Sequence, residues 1–243
     1  MDKIYGRNPV AELIKSGKDI DKLYINKEIS DGSIKSIIGK AKDRNIIISY
    51  CTREKLDDLC ETTKHQGVLA IVPQTEYVDI SDILNLAKEK NEKPFIFLLD
   101  EIEDPHNLGA IIRTAKCAGA KAVIIPKRNT ALVTSTVEKC SAGAVSLIPI
   151  VQVANLNNAI DKLKEHGFWV YGAEANGEQN YYDAKYNTNT LFVLGGENQG
   201  ISKLTAQKCD IMVKINMKGD FNSLNVSNAA GILMFEFLRQ QEV

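Results

Sequence analysis

The stretch INMKGDFNSLNVSNAAGIL, residues 215–233, decides the fold of this chain. It continues the apolar run 211–215, crosses a polar loop that holds Ser223 and Asn225, and becomes a helical pattern from Val226. A strand, a tight loop and a helix place the loop at the carboxyl edge of a sheet, where open α/β sheets bind ligands. Ser and Asn are also favoured helix N-caps, so this loop alone is equally consistent with an ordinary helix start.

Two earlier junctions have a similarly unusual composition. The first, DEIEDPHNLGAIIRTA at 100–115, follows an apolar strand and predicts a helix from about Leu108. Asn107 is its expected N-cap, because Pro105 disfavours an earlier start. The second, LGGENQGIS at 194–202, places paired glycines and a carboxylate at the end of another strand, which allows a ligand to approach the backbone closely. The chain has neither the dinucleotide-binding G-x-G-x-x-G pattern nor a P-loop, which disfavours a Rossmann cofactor site.

The composition excludes several classes of protein. The chain has 243 residues and is 44% hydrophobic and 25% charged, as is ordinary for a globular protein. Its formal net charge of −1 shows no overall basic footprint of nucleic-acid binding, but this balance does not exclude a local basic patch. No apolar run approaches the roughly 20 residues of a membrane helix, and the N-terminal segment lacks the apolar centre of a signal peptide. Five scattered cysteines and three separated histidines fit neither a disulfide nor a metal-ligand pattern. We therefore expect a cytoplasmic protein with no membrane span and no metal.

Alternating strand and helix patterns predict two α/β domains. The first, residues 1–76, is small, and residues 77–93 are predicted to be a linker with an amphipathic helix. Residues 94–243 form the second domain, with a mostly parallel sheet whose strands are near-continuous apolar runs. The run 145–150 is among the predicted strands.

The three junctions together carry a resemblance to a known family. The segments at 100–115, 194–202 and 215–233 resemble, in order and spacing, motifs 1, 2 and 3 of the SpoU (TrmH-like) RNA ribose 2′-O-methyltransferases. The polar turns YGRNPV (5–10) and HQGV (65–68) resemble the substrate-binding domain of the members that modify a guanosine of 23S rRNA, although ordinary turn chemistry would also explain them. The likeness covers nearly the whole chain.

The resemblance implies properties that periodicity cannot show. Members of the family carry a C-terminal trefoil knot, an exception to the rule that protein chains are unknotted. They hold S-adenosylmethionine in a bent shape between motifs 2 and 3, and they work as homodimers with the active site near the subunit interface. The implied fold class is α/β, with a knotted, mostly parallel C-terminal sheet and a small N-terminal α/β substrate-binding domain.

The resemblance also assigns roles to residues of this chain. Arg113 matches the residue that acts on the ribose 2′-OH, where we expect charge stabilisation and phosphate clamping because a guanidinium stays protonated. The other expected catalytic positions are Asn107, Glu197, Ser223 and Asn225. The expected cofactor-binding positions are Gly195, Gly196, Ile215, Leu224 and Asn225. The expected RNA-binding positions are Arg7, Asn8, His65 and Gln66.

We therefore predict an enzyme that transfers a methyl group from S-adenosylmethionine to the ribose 2′-OH of a guanosine in 23S rRNA. A tRNA guanosine methyltransferase would use the same chemistry, although tRNA-directed members often lack the N-terminal domain. A catalytically inactive RNA-binding scaffold is a second alternative, which the intact catalytic positions disfavour. A small-molecule methyltransferase is a third, and it would need no RNA-docking domain.

Overall fold

The chain folds into two units, residues 1–76 and 77–243. The structure, a computed structural model, describes residues 2–18, 20–72, 77–86, 93–197, 199–218 and 223–242. The end of the helix predicted within 77–93 and part of the polar loop before Ser223 lie outside these residues. No helix in the described ranges is long and apolar enough to cross a membrane.

The first unit is a four-stranded sheet with helices on both faces. Its elements are β1 (Asp2–Tyr5), α1 (Arg7–Lys15), β2 (Lys22–Asn26), α2 (Gly32–Asp43), β3 (Ile48–Cys51), α3 (Arg53–Cys60) and β4 (Val68–Val72). The strand order is β1-β4-β2-β3, with β2 and β3 parallel and the other pairs antiparallel. Helices α1 and α2 cover one face and α3 covers the other, so the central strands are buried on both sides.

The second unit is built on a sheet that has seven parallel strands within the described residues. Its elements are α4 (Ile80–Leu86), β5 (Phe95–Asp100), α5 (Pro105–Cys117), β6 (Ala122–Pro126), α6 (Ser135–Cys140), β7 (Ile150–Val153), α7 (Leu156–Glu165), β8 (Phe168–Ala173), β9 (Gln179–Asn180), β10 (Asn189–Gly195), α8 (Lys203–Lys208), β11 (Ile211–Lys214) and α9 (Val226–Gln241). The strand order is β7-β6-β5-β10-β8-β11-β9. The predicted α/β class, with a large parallel sheet and a small N-terminal sheet domain, is confirmed.

Two apolar layers hold the large sheet between helices. On one face α5, α6 and α9 pack over Phe95, Phe97 and Leu99. On the other face α4 and α7 pack over Ile96 and Leu98. All of β5 is buried, as a strand covered on both faces requires. Because the strands are parallel, the carboxyl ends of β5, β10, β8 and β11 meet at one edge, and the connections that follow them form the candidate site.

The prediction of a strand at 145–150 is wrong. Residues Ala144–Ser146 form a 3₁₀ turn, and β7 begins only at Ile150. The turn directs a backbone N–H to the hydroxyl of Ser141, and Pro149 has no N–H to donate to a sheet. Strand pairing with β6 therefore begins immediately after the proline.

The start of α5 also differs from the expectation, with a consequence for the site. The helix begins at Pro105 and is capped by Asp104, whose carboxylate accepts the backbone N–H of His106 at 2.9 Å. Proline suits the first helical position because that position needs no N–H donor. The same backbone hydrogen bond lowers the pKa of Asp104, so the cap stays charged at neutral pH. Asn107 is therefore not the cap, and its side chain is available for tertiary contacts.

Candidate active site

A cavity of about 460 Å³ opens at the carboxyl edge of the large sheet. The connections after β8, β10 and β11 and the first turn of α9 form its walls, and its size is typical of small-molecule sites. It is lined by all five predicted cofactor-binding positions, Gly195, Gly196, Ile215, Leu224 and Asn225, and by the predicted catalytic residues Glu197 and Ser223. Glu174 lines it as well, and sequence reasoning missed this residue because it belongs to no recognisable motif.

Three polar side chains from distant parts of the chain form one hydrogen-bonded cluster at this cavity. Asn107 Nδ2 donates to Glu197 Oε1 at 2.8 Å, and Asn225 Nδ2 donates to the same oxygen at 3.0 Å. Asn225 Nδ2 also donates to Asn107 Oδ1 at 2.9 Å. The cluster joins the first turn of α5, the connection after β10 and the start of α9. Among the described residues, Glu197 Oε2 has no hydrogen-bond partner.

Local structure orients each member of the cluster. Asn225 is the N-cap of α9, and its Oδ1 accepts the backbone N–H of Ser227 at 2.9 Å, so its amide nitrogen faces the cluster. Asn107 is buried, whereas Glu197 is exposed. Removal of a partner costs this largely buried amide one of its hydrogen bonds. The ordinary N-cap explanation of Asn225 is thus correct but incomplete.

Neighbouring backbone leaves no room for a side chain at the paired glycines of the β10 connection. A Cβ atom on Gly195 would overlap the backbone of Gly200, and one on Gly196 would overlap the carbonyl oxygen of Glu101. Gly200 has a φ of 66°, in the left-handed region that favours glycine. These close approaches fix the shape of the turn that carries Glu197. The paired glycines therefore contribute to the site by allowing this turn to form.

The structure does not bring Arg113 to the cluster. Arg113 lies six residues after Asn107 on α5, which places its side chain roughly 120° around the helix and about 9 Å along the axis from the asparagine. It is exposed, does not line the cavity, and has no hydrogen bond or ion pair with any described residue. Ser223 is also exposed and makes no hydrogen bond to the cluster within the described part of the chain.

A second cavity, of about 450 Å³, shares the β10 connection with the first. It is lined by Asn107 and Glu197, and by acidic residues of the connection after β5 such as Glu101 and Asp104. Across the residues that the structure describes, no group of three or more His, Cys, Asp or Glu side chains could hold a metal ion. The cluster can therefore be reached from two adjacent cavities.

In the first unit, the four residues predicted to bind RNA line one pocket of about 750 Å³. They are Arg7, Asn8, His65 and Gln66. The pocket also includes Asn26, Arg53 and Thr63, which the sequence did not mark because they lie in separate elements. Amide, guanidinium and hydroxyl groups are the types that contact phosphates and base edges in nucleic acids.

Arg7 is held in this pocket by two neighbours. Its backbone N–H donates to Gln66 Oε1 at 3.0 Å, and its Nε donates to the Gln66 carbonyl oxygen at 3.2 Å. Its Nη2 lies 2.8 Å from Asp31 Oδ2. The backbone N–H of Ile34, and to a lesser degree Arg7, lower the pKa of the Asp31 carboxyl, which keeps it charged at neutral pH. The arginine therefore has partners within its own unit that fix the direction of its side chain.

His65 is buried, and both of its ring nitrogens are used. Nδ1 accepts the backbone N–H of Gly67 at 3.0 Å, so Nε2 carries the proton and donates to Asp57 Oδ1 at 2.8 Å. His65 therefore stabilises the turn before β4 and forms part of the pocket wall, without a free ring nitrogen for a ligand.

Comparison with known proteins places the chain in a family. The family model described as "SpoU rRNA Methylase family" matches residues 94–235, and the one described as "RNA 2'-O ribose methyltransferase substrate binding" matches residues 3–78. A protein of Bacillus subtilis (strain 168), described as the putative TrmH family tRNA/rRNA methyltransferase YacO, is 41% identical over 240 residues. The match covers 99% of this chain and 96% of that protein.

Solved structures share the fold. The SpoU methyltransferase AviRb from Streptomyces viridochromogenes, in complex with the cofactor AdoMet, gives a TM-score of 0.64 at 23% identity, over 99% of this chain and 90% of that one. The AdoMet-bound rRNA methyltransferase from Sinorhizobium meliloti gives a TM-score of 0.62 at 25% identity, over 98% of this chain and 86% of that one. The two family models and the relative from Bacillus subtilis show that the chain belongs to the SpoU rRNA methylase family, as the three motifs predicted.

The cluster predicts a charge-swap experiment. Asn107→Asp places a second carboxylate against Glu197 Oε1 and removes a donor, so we expect a loss of roughly 1–3 kcal/mol in the free energy of unfolding at pH 7. The double variant N107D/E197Q again pairs an amide with a carboxylate and should recover most of the loss. Urea unfolding measures both.

The matched control is Asn158→Asp, because Asn158 is also the third residue of a helix but is exposed. It should be neutral or slightly stabilising, since a negative charge favours a helix N-terminus. Equal stability of Asn107→Asp and Asn158→Asp would contradict the cluster.

Proposed function

We propose that the protein transfers a methyl group from S-adenosylmethionine to the ribose 2′-OH of a guanosine in 23S rRNA. Family membership already makes it an RNA methyltransferase. The observation that carries the finer proposal is the cavity bordered by the Asn107–Glu197–Asn225 cluster. A polar pocket in a unit that matches the family's RNA substrate-binding region adds to it.

The lining of the cavity suits S-adenosylmethionine. Ile215, Leu224 and Val226 offer apolar surface for an adenine ring, and the turn after β10 offers backbone groups for its polar edges. When bound, the cofactor supplies an electrophilic methyl group and a neutral leaving group. The protein has to align the acceptor hydroxyl with the axis of transfer, and such orientation alone can lower a barrier by about 7–11 kcal/mol.

The cluster is suited to the acceptor side of the reaction. Glu197 Oε2, which has no partner among the described residues, can accept a hydrogen bond from the ribose 2′-OH. Asn107 and Asn225 both bond the other oxygen, so the direction of the free one is fixed. Ser223 lines the same cavity and can donate a hydrogen bond to cofactor or substrate.

The position of Arg113 favours a homodimer as the active form. The chemistry needs a cation near a substrate phosphate or a developing alkoxide, yet Arg113 lies away from the cavity of its own protomer. Helix α9, which packs with α5, carries Phe235 with 55% of its surface exposed. A second copy packed over this surface would bury Phe235 and bring Arg113 towards its partner's cavity.

We extend the proposal to a trefoil knot. In the sheet, β11 lies between β8 and β9, two strands that are joined to each other earlier in the chain. Gly177, in the connection from β8 to β9, packs so closely on the backbone of Val213 in β11 that a Cβ atom would overlap it. Tight passage of a late strand beside an earlier connection supports a knotted path.

The first unit supports an RNA substrate, because methyl transfer alone needs no separate polar pocket, and tRNA-directed members of the family often lack this domain. A tRNA substrate would leave the chemistry unchanged. The intact cluster disfavours an inactive scaffold. We place the enzyme in rRNA processing in the cytoplasm, and the five free cysteine thiols suit a reducing compartment.

Ribose methylation mapped in cells that lack the gene tests the proposed substrate. We expect one guanosine of 23S rRNA to lose its 2′-O-methyl group and to regain it when the gene is restored. Mass spectrometry of 23S rRNA and tRNA fragments from both strains measures this. A loss confined to tRNA would replace the rRNA assignment, and no loss in either RNA would favour a scaffold.

Replacement of Arg113 tests its catalytic role. Arg113→Ala should lower the single-turnover methylation rate by about 10²–10³-fold with little change in cofactor affinity, because the cation acts in the transition state. Arg113→Lys should recover little, since a point charge does not replace a planar fork of donors.

Lys116→Ala is the control for this test, because it removes an exposed cation from the same helix. It should retain the wild-type rate. A near-normal rate for Arg113→Ala would remove Arg113 from the catalytic residues.

The pocket of the first unit predicts an RNA-binding variant. Asn8 lines this pocket and is exposed, so Asn8→Ala should leave the melting temperature unchanged but weaken RNA binding by roughly tenfold, the effect of one lost base contact. Lys15→Ala, on the same helix but outside the pocket, should bind RNA normally at moderate salt. Filter binding to an rRNA fragment that contains the mapped site compares them. Unchanged affinity of Asn8→Ala would place the RNA elsewhere.

A further inference from the structure

We infer that Glu174 is a cofactor-binding residue whose carboxylate binds the ribose 2′,3′-diol of S-adenosylmethionine. The inference rests on the proposed function, because it requires a nucleoside cofactor in the cavity. Glu174 directly follows β8 and lines the cavity, but it is not part of the Asn107–Glu197–Asn225 cluster.

The structure fixes Glu174 through both its backbone and its side chain. Its N–H donates to the Val213 carbonyl oxygen at 3.0 Å, and its own carbonyl accepts the N–H of Gly177 at 3.1 Å. Its Oε1 accepts the backbone N–H of Ile201 at 3.1 Å. Its Oε2 has no hydrogen-bond partner among the described residues. One carboxylate oxygen is thus anchored to the protein, and the other is available to a ligand.

Gly200 leaves the space that this carboxylate needs. A Cβ atom at position 200 would lie 3.2 Å from Glu174 Oε1, which is a crowded contact. The turn after β10 is also the one that Gly195 and Gly196 allow to close. Glu174 and the glycine turn therefore form one continuous wall of the cavity.

The position of this wall favours the ribose. Strand β8 is the neighbour of β10 on the side away from β5, and adjacent strands lie about 4.8 Å apart. The methyl group has to lie near the cluster, and the ribose is joined to the same sulfur by one CH₂ group. In dinucleotide-binding folds, a carboxylate near a glycine-rich turn binds ribose hydroxyls. Two adjacent hydroxyls offer two donors to a carboxylate whose free oxygen is already directed.

Calorimetric titration with S-adenosylhomocysteine tests the residue. Glu174→Gln keeps an acceptor for the Ile201 N–H but removes the charge, so we expect its Kd to rise about ten- to hundredfold with an unchanged melting temperature. Glu178→Gln is the matched control, since Glu178 is exposed in the same connection and does not line the cavity. Its Kd should equal that of the wild type.

A cofactor analogue tests the bound group. The 2′,3′-dideoxy analogue of S-adenosylhomocysteine should bind the wild type about ten- to hundredfold more weakly than the parent compound. Glu174→Gln should bind both compounds with nearly equal affinity. An equal loss on both proteins, or an unchanged Kd in Glu174→Gln, would overturn the inference while the proposed function stands. No binding of S-adenosylhomocysteine to the wild type would overturn both.

Discussion

Three hydrogen bonds among Asn107, Glu197 and Asn225 hold the edge of the large sheet together. Asn107 and Asn225 are 118 residues apart in the chain, and only the parallel order of the strands brings their connections to one edge. Asn107 is buried, so loss of either partner would remove a hydrogen bond from an amide that has little contact with solvent. The arrangement of the site therefore depends on the packing of α5 beside α9.

The glycines of the β10 connection are a second constraint on the same edge. Gly195 and Gly196 let the turn touch Gly200 and Glu101, and Gly200 also leaves room for Glu174. Because Glu197 lies within this turn, the backbone geometry that closes the turn also sets the direction of the carboxylate. A side chain at any of these glycines would therefore disturb both the closing of the turn and the direction of the Glu197 carboxylate.

The sequence predicted the parts of the molecule that depend on local pattern. Buried parallel strands such as β5 are continuous apolar runs, and the loops after them carry motifs, so the fold class and the cavity-lining positions could be read directly. The start of α5 could not be predicted, because proline is favoured at the first position of a helix although it breaks a helix further along. The presence of Glu174 in the cavity depends on strand order, which no single motif records. The direction of Arg113 follows from its six-residue spacing to Asn107 only once α5 is known to include both residues. His65 was expected to contact RNA, yet the ring nitrogens that make it distinctive are used within its own unit.

We propose that S-adenosylmethionine binds in the cavity at the carboxyl edge of the large sheet. Hydrogen–deuterium exchange with and without saturating S-adenosylhomocysteine tests it most directly, because protection follows from contacts and from the ordering they impose. Binding in this cavity predicts slower exchange in peptides that cover 174–177, 194–201 and 223–229, with no change across residues 2–72. Protection confined to residues 2–72, or bound ligand without protection at 194–201, would contradict it.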